Sequence, residues 1–289
     1  MSQTFKGDIT NNVVELNLQA GAANIATPTV AYDGESNGLI GQAIGDIDDT
    51  SGFKEDTSLY GLVLGTSCTV IGSYSFYDCT GLKGSLAIPD TVTSIGYQAF
   101  DNCSGLTGLT IGNSVTSIGS FAFYSCSGLT GSLIIPNSVT SIGSSAFYNC
   151  PGLSSLTIGN GVTTIGEEAF AEYAGTSNYS GDLIIPDSVT TIGSNAFYIF
   201  IGNFDKLVVG SGVTSIGSYA FGTTLIPVAY ASCPASAFVG SVAFYQCNSL
   251  TTLYARDAVA NGYTLGSQSF EGTTLTVANW DNYPNPIPN

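Results

Sequence analysis

Four cysteines recur at nearly constant spacing, and their chemistry is the first question that the chain raises. Cys79, Cys103, Cys126 and Cys150 follow one another at almost equal intervals. A metal site is disfavoured, because the chain contains no histidine and no C-x-x-C pair to complete a ligand set. The absence of histidine also excludes Ser-His-Asp and Cys-His catalysis. The even spacing therefore needs a structural explanation.

A disulfide framework also fits these cysteines poorly. If each occupies the same place in a repeated coil, neighbouring thiols lie about one strand spacing, ~4.8 Å, apart, whereas a disulfide needs Cβ atoms ~3.8 Å apart with a defined dihedral angle. Cysteine is among the most buried residue types even as a free thiol. We therefore predict a buried ladder of free thiols. Cys233 and Cys247 are the candidates for an exceptional disulfide, and the total of seven leaves at least one thiol unpaired.

An acidic segment, "DIDDTSGFKED", is a candidate calcium site. Asp46, Asp48 and Asp49 cluster within it. An EF-hand loop counted from Asp46 needs Gly at its sixth position and Glu at its twelfth, but the chain has Ser51 and Thr57 there. We expect an acidic linker, with Ca²⁺ binding as the alternative and with no other cofactor.

A second acidic segment, "GEEAFAEYAG", contains Glu167, Glu168 and Glu172. Two carboxylates across a sugar are sufficient for glycoside hydrolysis, so a carbohydrate-active enzyme is a minor alternative. A solvated turn in one irregular repeat explains the same residues without catalysis. We expect a protein that is not an enzyme and has no catalytic residues.

The overall composition restricts the class of partner. Only 9% of the residues are charged, against about 25% in an ordinary globular domain. The chain carries 5 Lys and Arg against 21 Asp and Glu, a formal net charge of −16. Nucleic acids and anionic membranes both require a basic surface, so neither is an expected partner.

The phenylalanine of "SSAFYNC" shows that the cysteines belong to a repeat. Phenylalanine recurs at the same interval as the cysteines, and it continues beyond them toward the C-terminus. The positions are Phe76, Phe100, Phe123, Phe147, Phe170, Phe197, Phe221, Phe244 and Phe270. A period of about 20–29 residues is typical of leucine-rich repeats, whose units stack into a solenoid.

Each unit divides into two extended runs and a turn. An alternating run such as "SLII" predicts a strand, Pro or Gly ends it, and "VTSI" predicts a second, β-branched strand. "GSSAFYNC" then predicts a tight helical or 3-10 turn, and a Gly before Leu breaks it. Units with Ile-Pro, as at Pro89 and Pro136, alternate with units that carry Ile-Gly, as at Gly112 and Gly159. This alternation indicates that a pair of units was duplicated.

The repeat resembles the BspA-type, or Treponema-type, leucine-rich repeats, whose pattern is close to L-x-x-L-x-I-P-x-x-V-x-x-I-G-x-x-A-F-x-x-C-x-x-L. One unit matches this pattern at Leu133, Ile135, Pro136, Val139, Ile142, Gly143, Ala146, Phe147, Cys150 and Leu153. The match recurs over roughly residues 58–250 and degrades from Thr223 onward. The resemblance implies a mainly β leucine-rich-repeat solenoid with a parallel strand ladder and short helical or 3-10 turns. It also implies surface display and adhesion.

The repeat sets the expected domain organisation. Residues 1–57 form a non-repeat region, either a cap or an anchoring module that could bind an assembly partner. Residues 58–272 form the solenoid of about nine units, and residues 273–289 form a C-terminal cap or tail. The N-terminal stretch shows no basic segment followed by an apolar run, so no signal peptide is visible. No run approaches the ~18 apolar residues of a membrane span.

Two rows of side chains are expected to face outward. If Leu86 and Ile88 point into the core, the residue between them points out, and so do its equivalents. This first row, the strand-face stripe, is Val63, Ala87, Thr110, Ile134, Thr157, Ile184 and Val208. An exposed apolar stripe is typical of a binding surface, although β-branched residues also stabilise neighbouring strands.

The second row follows the core phenylalanines and consists of tyrosines. Its members are Tyr77, Tyr124, Tyr148, Tyr198 and Tyr245. Tyrosine is suited to interfaces because its ring is apolar and its hydroxyl is polar. Alternatively, these rings cap the turns and shield the phenylalanines.

Together these features predict a non-enzymatic solenoid that binds a protein or a surface glycan through its strand face. The first hypothesis is an extracellular surface recognition protein of a microbe. The alternative is a structural or host-attachment protein of a phage virion, which would explain a repeat adhesin without a visible signal peptide.

Overall fold

The computed structural model describes residues 13–15, 29–32, 39–43, 53–57, 59–65, 68–172, 179–238, 242–255 and 276–279. In these ranges nearly all regular structure is β. The strands are β1 Val13–Glu15, β2 Thr29–Tyr32, β3 Leu39–Ala43, β4 Leu59–Leu64, β5 Val70–Ile71, β6 Gly84–Ala87, β7 Ser94–Ile95, β8 Leu106–Thr110, β9 Ser117–Ile118, β10 Gly131–Ile135, β11 Ser141–Ile142, β12 Leu153–Ile158, β13 Thr164–Ile165, β14 Tyr179–Ile185, β15 Thr191–Ile192, β16 Gly202–Val209, β17 Ser215–Ile216, β18 Val228–Ala231, β19 Thr252–Ala255 and β20 Thr276–Asn279.

The predicted parallel ladder is confirmed, and the "VTSI" runs form its continuous part. Seven two-residue strands pair in parallel in the order β17-β15-β13-β11-β9-β7-β5. Each pairs its isoleucine with the isoleucine of the next coil, as Ile142 does with Ile165. The isoleucines are buried and the preceding Ser or Thr is not. A period of two between buried and outward side chains therefore fixes the register of every coil.

The longer strands pair differently, because two of their sheets contain only two coils. β6 pairs with β8, and β10 with β12, as separate parallel sheets, whereas β14, β16, β18, β19 and β20 form one sheet. The pairs β6–β8, β10–β12 and β14–β16 each contain a register shift at a glycine, namely Gly84, Gly131 and Gly181. The alternation of Ile-Pro and Ile-Gly units in the sequence thus corresponds to a physical pairing of coils.

A close approach between backbones explains why the residue that lies against each proline, one coil later, is a glycine. A Cβ added at Gly159 would lie 2.4 Å from the carbonyl oxygen of Pro136, which is too close for any side chain. The same relation places Gly112 on Pro89 and Gly210 on Pro186.

Replacing Gly159 with alanine is expected to lower the free energy of unfolding by about 1–3 kcal/mol, because the two coils must separate to admit the methyl group. Urea denaturation followed by circular dichroism measures this loss. Gly131→Ala is the matched control: its φ of +79° disfavours alanine, but no atom lies within 4 Å of the added Cβ. Gly131→Ala is expected to lower the free energy of unfolding by about 1 kcal/mol. A smaller loss at Gly159 than at Gly131 would contradict the close-approach argument.

The predicted helical turns are the part of the fold that is wrong. The only helical segment in the described part of the chain is the 3-10 helix Ala235–Phe238. In "GSSAFYNC", Ser145 and Asn149 have φ of +53° and +57°, and equivalent residues of other coils do the same. A left-handed residue at every fourth position interrupts a right-handed helix. The segment is instead a series of turns, in which Tyr148 N–H donates to the Ser145 carbonyl.

The left-handed residues direct every second backbone N–H toward the next coil. Ser145 N–H donates to the Glu167 carbonyl, Phe147 N–H to the Ala169 carbonyl, and Asn149 N–H to the Ala171 carbonyl, at 2.7–2.9 Å. The turns are therefore joined from coil to coil as firmly as the strands are.

The core is a column of stacked phenylalanine rings that begins before the predicted boundary at residue 58. Phe53 stacks on Phe76 with ring centroids 5.6 Å apart, and the stacked pairs continue from coil to coil as far as Phe244. The segment "FKEDT", residues 53–57, thus belongs to an additional coil. At the other end, β20 extends the strand ladder into the region expected to be a cap. Phe270 lies outside the described residues.

Candidate functional site

The strand-face stripe is exposed along most of its length. Ile134 and Ile184 are 58% and 49% exposed, large values for isoleucine in a folded chain. The other exposed members are Val63, Ala87, Thr110 and Thr157. Within a pair of coils the members are paired in register, as Ile134 is with Thr157 and Ala87 is with Thr110, whereas Thr157 and Ile184 belong to separate sheets.

The expectation that Val208 is exposed is wrong, since only 8% of it is accessible. Val208 pairs in register with Ile184 on one side and Tyr230 on the other. A tyrosine ring is large enough to cover a neighbouring valine, and Tyr230 in turn stacks on Tyr254 at 5.0 Å. The aliphatic stripe therefore ends at Ile184, and aromatic residues replace it beyond β16.

A polar row borders the stripe. Ser155 and Ser132 share a hydrogen bond between their Oγ atoms of 2.7 Å, and Lys206 Nζ lies 3.3 Å from Asp182 Oδ2. A half-exposed ion pair of this kind contributes little to stability. The strand face thus has exposed apolar residues along its centre and polar groups along one edge.

The second stripe lies on the turns that carry the core phenylalanines, and its five tyrosines are all half-buried. Tyr124 and Tyr148 stack at 5.0 Å. Sequence reasoning missed the rings that link the others, which are Tyr74, Tyr97, Phe121 and Tyr219. Three of these, Tyr74, Phe121 and Tyr219, stand two places before a core phenylalanine. Aromatic residues at that place in three units were a signal that could have identified them.

The cysteine ladder lies inside the coil. All seven cysteines are buried thiols that form no disulfide in the described part of the chain, Cys233 and Cys247 included. Each ladder thiol donates to the carbonyl of a phenylalanine one coil earlier, as Cys103 Sγ does to Phe76 O at 3.0 Å and Cys126 Sγ to Phe100 O at 3.1 Å. The cysteine therefore satisfies a backbone acceptor beside the phenylalanine column.

Native thiols are expected to be unreactive at neutral pH, because thiolate is the reactive form. Burial raises the pKa of Cys79 and of Cys233 to about 12, and it raises the pKa of Cys126 well above its usual value. Titration with 5,5′-dithiobis(2-nitrobenzoate) should find almost no thiol before unfolding and all seven in denaturant. Rapid reaction of several thiols in the native protein would contradict the buried ladder.

The predicted acidic candidates are not gathered into one site. Glu167 is exposed, Glu168 accepts a hydrogen bond from Ser145 Oγ at 3.2 Å, and Glu172 is buried with a pKa raised by burial. Asp46, Asp48 and Asp49 lie outside the described residues. Within the described ranges, no group of three or more His, Cys, Asp or Glu side chains is arranged to hold a metal ion. No helix of that part of the chain is long and apolar enough to span a membrane.

The chain matches a family model, the BspA type leucine rich repeat region, over residues 47–177 and 173–287. Among solved structures, it is similar to a leucine rich cell surface protein from Faecalibacterium prausnitzii, with 20% identity, a TM-score of 0.51, and coverage of 90% of this chain and 96% of that one. A leucine rich repeat protein of T. pallidum is 21% identical, with a TM-score of 0.43 and coverage of 68% and 88%. No curated protein matches the chain.

Proposed function

Because the chain belongs to the BspA-type leucine-rich repeat family, we propose that it is a surface recognition protein that binds a protein or glycan partner through its strand face. On this proposal it has no catalytic role. Proteins of this family are associated with surface display and adhesion. A solenoid presents a long surface whose outward residues can vary without disturbing the core.

The observation that carries this proposal is the exposed apolar stripe centred on Ile134 and Ile184. Isoleucine is usually buried. Ile135 and Ile185, the next residues in the same strands, are buried in the core, so the exposure of Ile134 and Ile184 is unusual for this residue type. Exposed apolar residues bordered by Ser132, Ser155 and Asp182 form the arrangement of an interaction site.

Binding of labelled protein to immobilised extracellular-matrix proteins and glycans from the host's surface tests the strand face. The double variant Ile134→Asp/Ile184→Asp should lose at least about tenfold in affinity, since apolar contact becomes a buried charge. Thr140→Asp, on the exposed surface of the other ladder, is the control and should bind normally. Equal binding by the double variant and the wild type would exclude the stripe as the site.

Localisation tests the other half of the proposal. Antibody labelling of intact cells of the source organism should detect the protein at the surface. If it co-sediments instead with phage particles and is absent from cell surfaces, the proposal is replaced by the virion alternative. If it is found in neither place, surface recognition is excluded.

A further inference from the structure

The turns of the N-terminal coils carry a continuous row of contacting aromatic rings, here called the aromatic strip. Successive ring centroids are 5.0–5.9 Å apart, mostly in edge-to-face arrangement. Its members are Tyr74, Tyr77, Tyr97, Phe121, Tyr124 and Tyr148. Tyr97 projects furthest, with 41% of its surface exposed. Edge-to-face packing leaves parts of the ring faces open, and these carry the negative end of the aromatic quadrupole.

Carboxylates accompany the first part of the aromatic strip, around Tyr77, although Asp101 is itself buried and the turns of Phe121 and Tyr148 contain no Asp or Glu. Asp101, Asp78 and Glu55 lie close enough to Tyr77 to raise the pKa of its phenol. Asp78 accepts a hydrogen bond from Asn102 Nδ2 at 2.6 Å, which holds it in place. Ring faces and carboxylates attract the same class of ligand, which is a cation.

The chain itself supplies one cation to this surface. Lys54 occupies the place in its coil that Tyr77 and Tyr124 occupy in theirs, directly after the stacked phenylalanine. Its Nζ lies 5.2 Å from the Tyr74 ring centroid and 5.5 Å from that of Tyr77, within the ~6 Å range of cation–π contacts. The other lysines of the described ranges, Lys83 and Lys206, lie before β6 and within β16.

We propose that the aromatic strip binds a lysine- or arginine-rich extended segment of a partner protein. The contact of Lys54 with the Tyr74 and Tyr77 rings is an example, within the chain, of how each cation of the partner is bound. Successive coils repeat at the strand spacing, ~4.8 Å. Side chains on one edge of an extended peptide recur about every 6.6 Å, so several cations can reach different rings and carboxylates together. The net charge of −16 favours the encounter over long range. This site is separate from the strand face and does not depend on its function.

The C-terminal coils provide an internal control. Tyr198, Tyr219 and Tyr245 also contact one another edge to face, and Tyr219 is 37% exposed. Their turn segments, "SNAFYI", "SYAFGT" and "VAFYQ", contain no Asp or Glu. They therefore present the rings without the carboxylates.

Fluorescence anisotropy with a labelled peptide of alternating lysine and serine tests the proposal on the full chain at about 0.1 M salt, where distant charges are screened. Tyr97→Ser should weaken binding roughly two- to fivefold, the loss of one cation–π contact, whereas Tyr219→Ser should not. Tyr97→Phe keeps the aromatic ring and should bind the peptide as the wild type does. Equal losses at Tyr97 and Tyr219 would overturn the site.

Lys54→Gln is the more discriminating variant, because it removes the chain's own cation from the Tyr74 and Tyr77 rings and leaves them open to a cation of the peptide. Affinity should rise about two- to fivefold by the same reasoning, and more than in Lys83→Gln, which changes the net charge equally. Equal gains in both variants would mean general attraction of a polycation to an acidic protein. If cellohexaose binds instead and Tyr97→Ser abolishes that binding while peptide binding is unchanged, the strip is a glycan platform and the proposal is wrong.

Discussion

Replacing Phe123 with alanine is expected to lower the free energy of unfolding by about 3–5 kcal/mol. Phe123 is fully buried and stacks on Phe100 and Phe147, each at 5.2 Å. A coil of a solenoid contacts only its neighbours, so a cavity at one rung has few other residues that can move in to fill it. Chemical denaturation monitored by circular dichroism measures the loss.

Phe121→Ala is the matched control for this experiment. Phe121 belongs to the same coil but is only half-buried in the aromatic strip, so its loss should cost about 1 kcal/mol. Equal costs at the two positions would show that the column is not the main source of stability. A second, lower transition in Phe123→Ala would show that the coils on either side unfold separately.

Replacing Glu172 with glutamine is expected to stabilise the protein strongly at pH 8 and hardly at pH 4.5. Glu172 is 3% exposed, and its Oε1 has no hydrogen-bond partner among the described residues. Burial raises the pKa of this carboxyl from 4.5 to about 8, although the Cys150 backbone hydrogen bond opposes the rise. The nearby Cys150 thiol and Tyr179 phenol also have raised pKa values, so both stay neutral in this range.

The sign of the effect follows from proton binding. Between pH 4.5 and 8 the unfolded chain has lost this proton and the folded protein retains it, so stability falls as pH rises, by about 1.4 kcal/mol per unit. Above pH 8 the penalty is constant, at about 5 kcal/mol. Glu172→Gln should remove this slope in denaturation curves measured across the range. Glu167→Gln, which replaces an exposed carboxylate, should retain it, and an unchanged slope in Glu172→Gln would contradict the assignment.

The ladder could be predicted because the features that build it are local and repeated. Alternation in "SLII", the β-branched "VTSI" and the fixed places of Ile142 and Phe147 report burial directly. Every coil repeats the same pattern, so each occurrence supports the others.

The turns could not be predicted in the same way. "GSSAFYNC" has the composition of a helical turn, and although Asn149 is of a type that tolerates the left-handed region, nothing local shows that Ser145 is left-handed. Those conformations are stabilised by hydrogen bonds to the following coil, whose residues belong to the next repeat unit of the sequence. Tertiary bonding therefore overrides the local preference of non-glycine residues for negative φ.

The ends of the solenoid and the exposure of its outward side chains were harder to predict from the sequence, for a related reason. The segment "FKEDT" lacks the cysteine and the alternating run of the pattern, and contacts with the next coil, such as the stacking of Phe53 on Phe76, place it in the solenoid. Val208 follows the alternation of its strand but is buried, and its in-register partner Tyr230 lies on the neighbouring strand β18. Exposure of an outward residue is set by neighbours that its own strand does not contain.

The pairing of coils has a consequence for how the protein yields to force. The sheets of β6–β8 and β10–β12 are not paired with each other, although the seven-stranded ladder and the turn hydrogen bonds cross the junction between them. Such junctions hold fewer hydrogen bonds, so under a pulling force the solenoid should yield first there, and each pair of coils that then unfolds releases about 160 Å of extended chain. A tether built in this way lengthens in steps under load while the remaining coils stay folded.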